Sequence, residues 1–327
     1  MPRLLALVAL FTLVASDHSS VRAQSVPSSS AARPAVEEIV ASASKQVTVY
    51  LDTFRNLISQ ETKTLERFSK DGDLKRSRRI ISTFIVYQSS RNENNIAEYR
   101  NVISVDGRPA GNPDERARDF FERLLKSQDA ASELRRIENE SSRYDDDLSV
   151  SGMTLFQGVA LFEHIRPVMT FRLRGTEIVD GSESFVVEYE QTKPSPYITT
   201  DERQIPADGK TPVIYDIDLD FRDGGANGRL RGTLWIDAGS YQIRRERREF
   251  SVQPERSARR MPVAENVFEY QNSDFGILTP RRISVTAFRL NAKGELSAKE
   301  NRVVLEYGKF TRPDVEVGSP EIRNPGY

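Results

Sequence analysis

The chain of 327 residues carries 47 Lys+Arg against 48 Asp+Glu, a formal net charge of −1, and no cysteine. That balance excludes a global field that would recruit nucleic acid or an anionic membrane surface, and the lack of cysteine excludes disulfides, thiolate metal sites and a lipid anchor on Cys. Its two histidines, His18 and His164, are too few for a multi-histidine metal site or a Ser-His-Asp arrangement with a spare base, and no cofactor is expected.

Met1-Pro2-Arg3 precedes an apolar run, Leu4 to Ala15, too short to span a bilayer, and Val21-Arg22-Ala23 suits a signal peptidase. Residues 1–23 are therefore expected to be a cleaved signal peptide, with the mature chain exported and free of transmembrane segments. Residues 24–34, rich in Ser, Ala and Pro, read as flexible, 35–310 as one domain and 311–327 as a loose tail.

Apolar residues three or four apart predict an amphipathic helix from Val36 to about Ile58. Strands Leu57 to Phe68 and Arg79 to Gln88 flank Lys70-Asp71-Gly72-Asp73, whose Asp-Gly marks a hairpin, and a third strand runs from Ile96 to Val105. Asn112-Pro113-Asp114-Glu115 combines an N-cap, a first-turn proline and a capping-box glutamate, and a second helix follows from Ser127 to Ser141. Met153 to Val168 is apolar over most of its circumference and is expected to be a helix buried against something broad.

From Met169 the pattern is nearly all strand. Phe171–Leu173 and Phe185–Tyr189 flank Asp180-Gly181, and further strands are expected at Val213–Arg222, Gly228–Asp237, Tyr241–Val252, Val263–Asn272, Arg281–Leu290 and Lys299–Phe310. About eleven strands in successive hairpins, with helices grouped early, predict an α+β fold in which a curved antiparallel sheet holds helices on its concave side.

Several polar groups invite functional readings. Asp216, Asp218, Asp220 and Asp223 suggest a calcium loop, but Phe221 stands where that loop needs Gly and Asn227 where it needs Glu; their alternation with Tyr215, Ile217 and Leu219 fits a half-buried strand. Asp145-Asp146-Asp147 reads as a solvated loop, with metal binding the weaker option. Arg244, Arg245, Arg247 and Arg248, interrupted by glutamates, read as a charged outer sheet face, the alternative being contact with lipid phosphates or an acidic partner. Trp235 alternates with Arg231 and Thr233 and is placed on the outer side. His164, among apolar neighbours, reads as a satisfied or surface histidine, and Gln191 to Thr211 as a long loop open to a gating or partner-binding role. No pair of acids has a spacing tied to a catalytic scaffold, so the chain is not expected to be an enzyme.

Arg231-Gly232-Thr233-Leu234-Trp235-Ile236-Asp237 followed by Tyr241-Gln242-Ile243-Arg244-Arg245-Glu246, together with the element order, resembles the outer-membrane lipoprotein-sorting carriers of the LolA-like fold. Tyr99 to Pro109, Arg136 to Tyr144 and Ala160-Leu161-Phe162 resemble large secreted proteins of acidobacterial soil bacteria, over most of the mature chain. The first resemblance implies an incomplete barrel (a half-barrel) whose helical lid covers an apolar cavity for the acyl chains of a lipid or lipoprotein. On that reading Leu155, Phe156, Val159, Phe162 and Ile165 form the lid, and Phe84, Val86, Phe171, Leu173, Leu234 and Ile236 the walls. The competing reading has the same segment filling the sheet as core, in a structural or envelope-sensing module that binds an envelope protein.

Overall fold

The computed structural model describes residues 34–89, 96–127, 129–146, 148, 150, 152–199, 206–210, 212–215, 228–253, 259–290 and 296–312. The expected signal peptide, the expected tail beyond 312 and the aspartate-rich stretch 216–223 lie outside them. The residues from Ala35 onward form one unit.

Helix α1 (Val36–Thr53) leads into strands β1 (Ile58–Phe68), β2 (Leu74–Gln88), β3 (Ile96–Val105) and the short β4 (Arg108–Pro109), then helices α2 (Pro113–Leu125) and α3 (Ala130–Ser141). Three single 3-10 turns follow, at Met153–Leu155, Val159–Leu161 and Arg166–Val168. The rest is strand: β5 (Met169–Val179), β6 (Ser182–Gln191), β7 (Ile198–Thr199), β8 (Val213–Ile214), β9 (Arg229–Asp237), β10 (Ile243–Val252), β11 (Met261–Asn272), β12 (Leu278–Leu290) and β13 (Leu296–Tyr307). Eleven strands make one antiparallel sheet in the order β4-β3-β2-β1-β13-β12-β11-β10-β9-β6-β5. This is the expected α+β architecture with a curved, unclosed sheet. The strand expected from Val213 departs from it, because its described part, β8, pairs in parallel with β7 of the long loop and not with the main sheet.

Two helix expectations need correction. Helix α1 stops at Thr53, because Asn56 adopts φ 55, a left-handed turn that Asn tolerates, and its N–H bonds the Val86 carbonyl at 2.8 Å as the chain swings into β1. Met153 to Val168 is not a helix. Gly152 and Gly158 sit at φ 70 and 58, Pro167 supplies no donor, and each 3-10 turn ends before a second can propagate. The tertiary packing demands this backbone, since a Cβ on Gly158 would lie 2.5 Å from Ile243 Cδ1. We call this segment the plug.

Directly paired residues share a sheet face, so the registers Glu61↔Ser82, Phe84↔Arg100, Glu246↔Leu234 and Glu246↔Phe268 define the concave side. Ala43, Val47 and Tyr50 of α1, Phe54 just after it, and Val159, Leu161 and Ile165 of the plug join Phe84, Leu234, Phe268 and Ile283 there in one core. At the β3 end a second cluster uses the other face, with Ile85, Tyr87 and Tyr99 against Phe120, Leu124 and Ile137 of α2 and α3. The Asn112 cap forms as expected, with Oδ1 accepting from Glu115 N. Helix α3 also closes the sheet edge: Ser141 Oγ accepts from Arg100 N at 3.1 Å and donates to the Glu98 carbonyl at 2.9 Å.

Gly232 has a specific task in this sheet. A Cβ there would meet the Arg247 carbonyl at 2.2 Å and the Tyr189 hydroxyl at 2.6 Å, so glycine lets the Tyr189 ring cross the strand. Gly232→Ala is expected to lower stability by about 1–3 kcal/mol, the usual cost of overpacking. A urea melt checks this; an unchanged midpoint would show that Tyr189 moves aside without loss.

Candidate functional site

The concave face is not the apolar wall that the sequence suggested. Glu61, Lys63, Glu98, Arg100, Glu246 and Arg248 project inward and are each at most 4% exposed. Arg100 donates through Nε and Nη2 to Glu61 at 2.7 and 3.0 Å, and through Nη2 to Glu98 at 3.0 Å. Arg248 grips Glu246 at 2.9 and 3.0 Å, and Lys63 bonds Asp145 at 2.7 Å.

The plug explains why charges stand there. Single 3-10 turns leave most of their backbone N–H and C=O groups unpaired, and buried groups of that kind must find partners. Glu98 accepts from Gly152 N at 3.0 Å and from Thr154 N and Oγ1 at 2.7 Å. Glu246 accepts from Gly158 N at 2.9 Å and from the Tyr189 hydroxyl at 2.9 Å, while Arg248 donates to the Phe156 carbonyl at 2.6 Å. From the other side Tyr50 donates to the Thr154 carbonyl at 2.7 Å, and Ser44 to that of Leu161 at 2.8 Å. Burial alone would raise the Glu61 carboxyl, but the charges of Arg100 and Lys63 prevail and hold it below the ordinary glutamate range. Burial and the neighbouring Arg100 hold the Lys63 ammonium below the usual lysine range, against the pull of Glu61 and Asp145. The oxygens of Glu61, Glu98 and Glu246 are committed to donors of the fold, which is the arrangement of a clamp.

Several sequence readings are corrected here. Strand β10 divides its arginines: Arg247 pairs outward with Glu265 at 2.7 Å and Arg245 lies over the Trp235 ring at 4.9 Å, whereas Arg248 turns inward. Arg244 joins neither group and bonds Asp237 at 2.6 Å. Trp235 lies on the outer side as expected, donating to Glu177 at 2.7 Å. Asp145 is 1% exposed and not solvated, Asp146 bonds Arg78 at 2.8 Å, and Asp147 lies outside the described residues. Among the described residues no group of three His, Asp or Glu side chains is placed to hold a metal ion.

Open space lies on the plug's other side. A groove of about 1080 Å³ runs between α1, α3, the start of β3 at Ile96 to Glu98, and the plug. Its floor along α1 extends from Ala41 to Leu51, roughly 15 Å at 1.5 Å per residue. Val47, Leu51, Leu134, Ile137 and Leu161 supply apolar wall, with Thr48 and Glu138 among them. Of the residues expected at a cavity, Leu155, Phe156 and Phe162 line this groove. Phe84, Val86, Val159, Ile165, Leu234 and Ile236 sit elsewhere, at 0% exposure within the core. Phe171 and Leu173 are half-buried against the core's rim on the edge strand β5. The plug is thus apolar on both sides for two reasons, its inner side filling the sheet and its outer side walling the groove.

At one end of the groove stands His164. Its ring meets Tyr197 edge-on at 4.6 Å, and its buried Nε2 has no hydrogen-bond partner among the described residues. The residue was expected to be a satisfied or surface histidine; it is half-buried, and unsatisfied at that atom. Burial, then the charge of Lys210, holds the imidazole below its ordinary pKa.

No protein-family model and no curated protein matches the chain. Among solved structures it is similar to a DUF1329 family protein from Desulfovibrio piger, at 15% identity and TM-score 0.30, over 86% of this chain and 94% of that one. It is similar also to a LolA superfamily protein from Nitrosomonas europaea, at 11% and 0.25 over 86% and 94%, and to the lipoprotein LppX of Mycobacterium tuberculosis, at 10% and 0.25 over 86% and 100%. At such identities and superposition scores the functional reading rests on the groove itself.

Proposed function

We propose that the protein is a noncatalytic binder or carrier of an amphipathic ligand, a lipid or the acyl part of a lipoprotein, working in the periplasm after export. The groove beside the plug supports this best: it is long, walled largely by apolar side chains, and slightly larger than the roughly 300–1,000 Å³ of ordinary ligand pockets. Alkyl burial at about 0.8 kcal/mol per methylene would supply the affinity. Within the expected site, Leu155, Phe156 and Phe162 are the residues assigned to the ligand. No helix among the described residues is long and apolar enough to cross a membrane.

One observation favours a second reading. The inner side of the plug meets fully buried walls, as in an interaction module with a filled core. Native mass spectrometry of the protein purified from its own envelope, with lipid extraction of the same sample, separates the two. A near-stoichiometric acyl species supports the carrier; a clean apo mass with no uptake of added fatty acid supports the module. In the carrier, Phe162→Asp places a carboxylate in the groove wall and is expected to weaken fatty-acid binding at least tenfold without loss of fold. Unchanged binding in the folded variant would remove Phe162 from the site.

A further inference from the structure

Basic side chains gather at the His164 end of the groove. Arg166 lines it at the His164 end, is half-buried, and has no ion pair or hydrogen bond to its guanidinium among the described residues. Its backbone N–H bonds the Phe162 carbonyl at 2.7 Å, which fixes its place on the plug beside a wall residue. The bond from Ser44 Oγ to the Leu161 carbonyl sets the Lys45 turn of α1 against the same stretch, and Lys45 also lines the groove, with no ion-pair partner among the described residues. Lys210 completes the lining at this end; its contact with Asp208 is long, at 3.8 Å, and exposed. Glu163 and Asp208 are the acids nearby, and both are exposed, where solvent screens them.

The inward arginines Arg100 and Arg248 are fully paired, whereas Arg166, half-buried on the groove, has no ion pair among the described residues. Beside it the buried Nε2 of His164 is likewise unsatisfied. Two neighbouring polar groups left without partners at the end of an apolar groove mark the place where a ligand would supply acceptors.

We propose that this end is a head-group seat: the groove takes an amphiphile whose anionic head, a carboxylate or phosphate, is held by Arg166 beside His164. Lys45 and Lys210 flank the head, and the alkyl chain lies along α1 toward Leu134 and Ile137 of α3. The inference rests on the carrier reading and narrows its ligand to anionic amphiphiles.

The test is calorimetric titration of the full chain at neutral pH with palmitate, hexadecanol and inorganic phosphate. Palmitate is expected to bind roughly tenfold more tightly than hexadecanol, the worth of one charge-assisted hydrogen bond. Arg166→Gln should bring palmitate to the affinity of hexadecanol and leave hexadecanol unchanged, which also certifies that the variant is folded. Arg166→Lys should restore part of the preference. Equal binding of palmitate and hexadecanol by the unaltered protein overturns the head-group seat and leaves the carrier standing, a comparison that needs no variant. Binding of neither overturns both. Displacement of palmitate by inorganic phosphate at equal concentration would assign the seat to a free anion and overturn the amphiphile.

Discussion

Arg100→Met is expected to lower the unfolding free energy by about 3–5 kcal/mol, the cost of leaving buried charges without their partner. Arg100 is 2% exposed, serves Glu61 and Glu98 together, and lies over the Phe84 ring at 5.1 Å. Methionine keeps much of the packing but none of the charge. The pH dependence separates the two. In the unaltered protein the Glu61 carboxyl titrates below its ordinary 4.5, so its stabilisation is present above the unfolded-state pKa and lost as pH falls through the folded one. Without Arg100, burial dominates and raises that pKa, so acid relieves the variant by protonating the carboxylate. The deficit measured by urea denaturation should therefore be largest near neutral pH and shrink toward pH 4 and below. A deficit independent of pH would assign the loss to contact with Phe84 and not to the ion pairs.

The turns and caps were legible in the sequence because they are local. Asp71-Gly72, Asp180-Gly181 and the Asn112-Pro113 start depend on a few neighbouring residues, and all three stand where they were expected. The inward charges were harder to see. In β1 the buried phase is Ser59, Glu61, Lys63 and Leu65, and the other phase is also polar, so alternation cannot choose a face. In β10 a signal existed: the phase that contains the buried Phe250 and Val252 runs back through Arg248 and Glu246. The run of arginines masked it, since a cluster of charge suggests solvent before it suggests a clamp. The plug misled in another way. Its apolar content was correctly read as burial, but one strip of sequence cannot reveal that its two sides face different things, and so Phe84 and Leu234 were expected to wall a cavity that lies across the plug from them. Arg166 and Lys210 were not singled out, because their meeting at one groove end is made by tertiary contacts alone.

Glu246→Ala is expected to be comparably damaging, by about 3–5 kcal/mol, but with a different signature. It removes at once the partner of Arg248, the acceptor for Gly158 N and the acceptor for the Tyr189 hydroxyl. The first loss is electrostatic and the others unfasten the plug, so a second substitution can divide them. A Glu246→Met, Arg248→Met double variant abolishes the uncompensated charge while leaving Gly158 N and the Phe156 carbonyl without partners. If charge burial dominates, the double variant regains most of the lost stability, as apolar replacement of buried ion pairs often does. If fastening dominates, it stays near the single variant, and amide exchange quickens at Gly158, which has lost its acceptor, relative to the strands around it. We expect the second outcome, because the clamp occurs twice, through Glu98–Arg100 and Glu246–Arg248, each time where a plug turn presents bare backbone. Fatty-acid affinity then becomes a further readout: Phe156 and Phe162 flank the released turn, so loosening the clamp on the inner side should weaken binding in the groove on the outer side, without any change to the groove's own side chains.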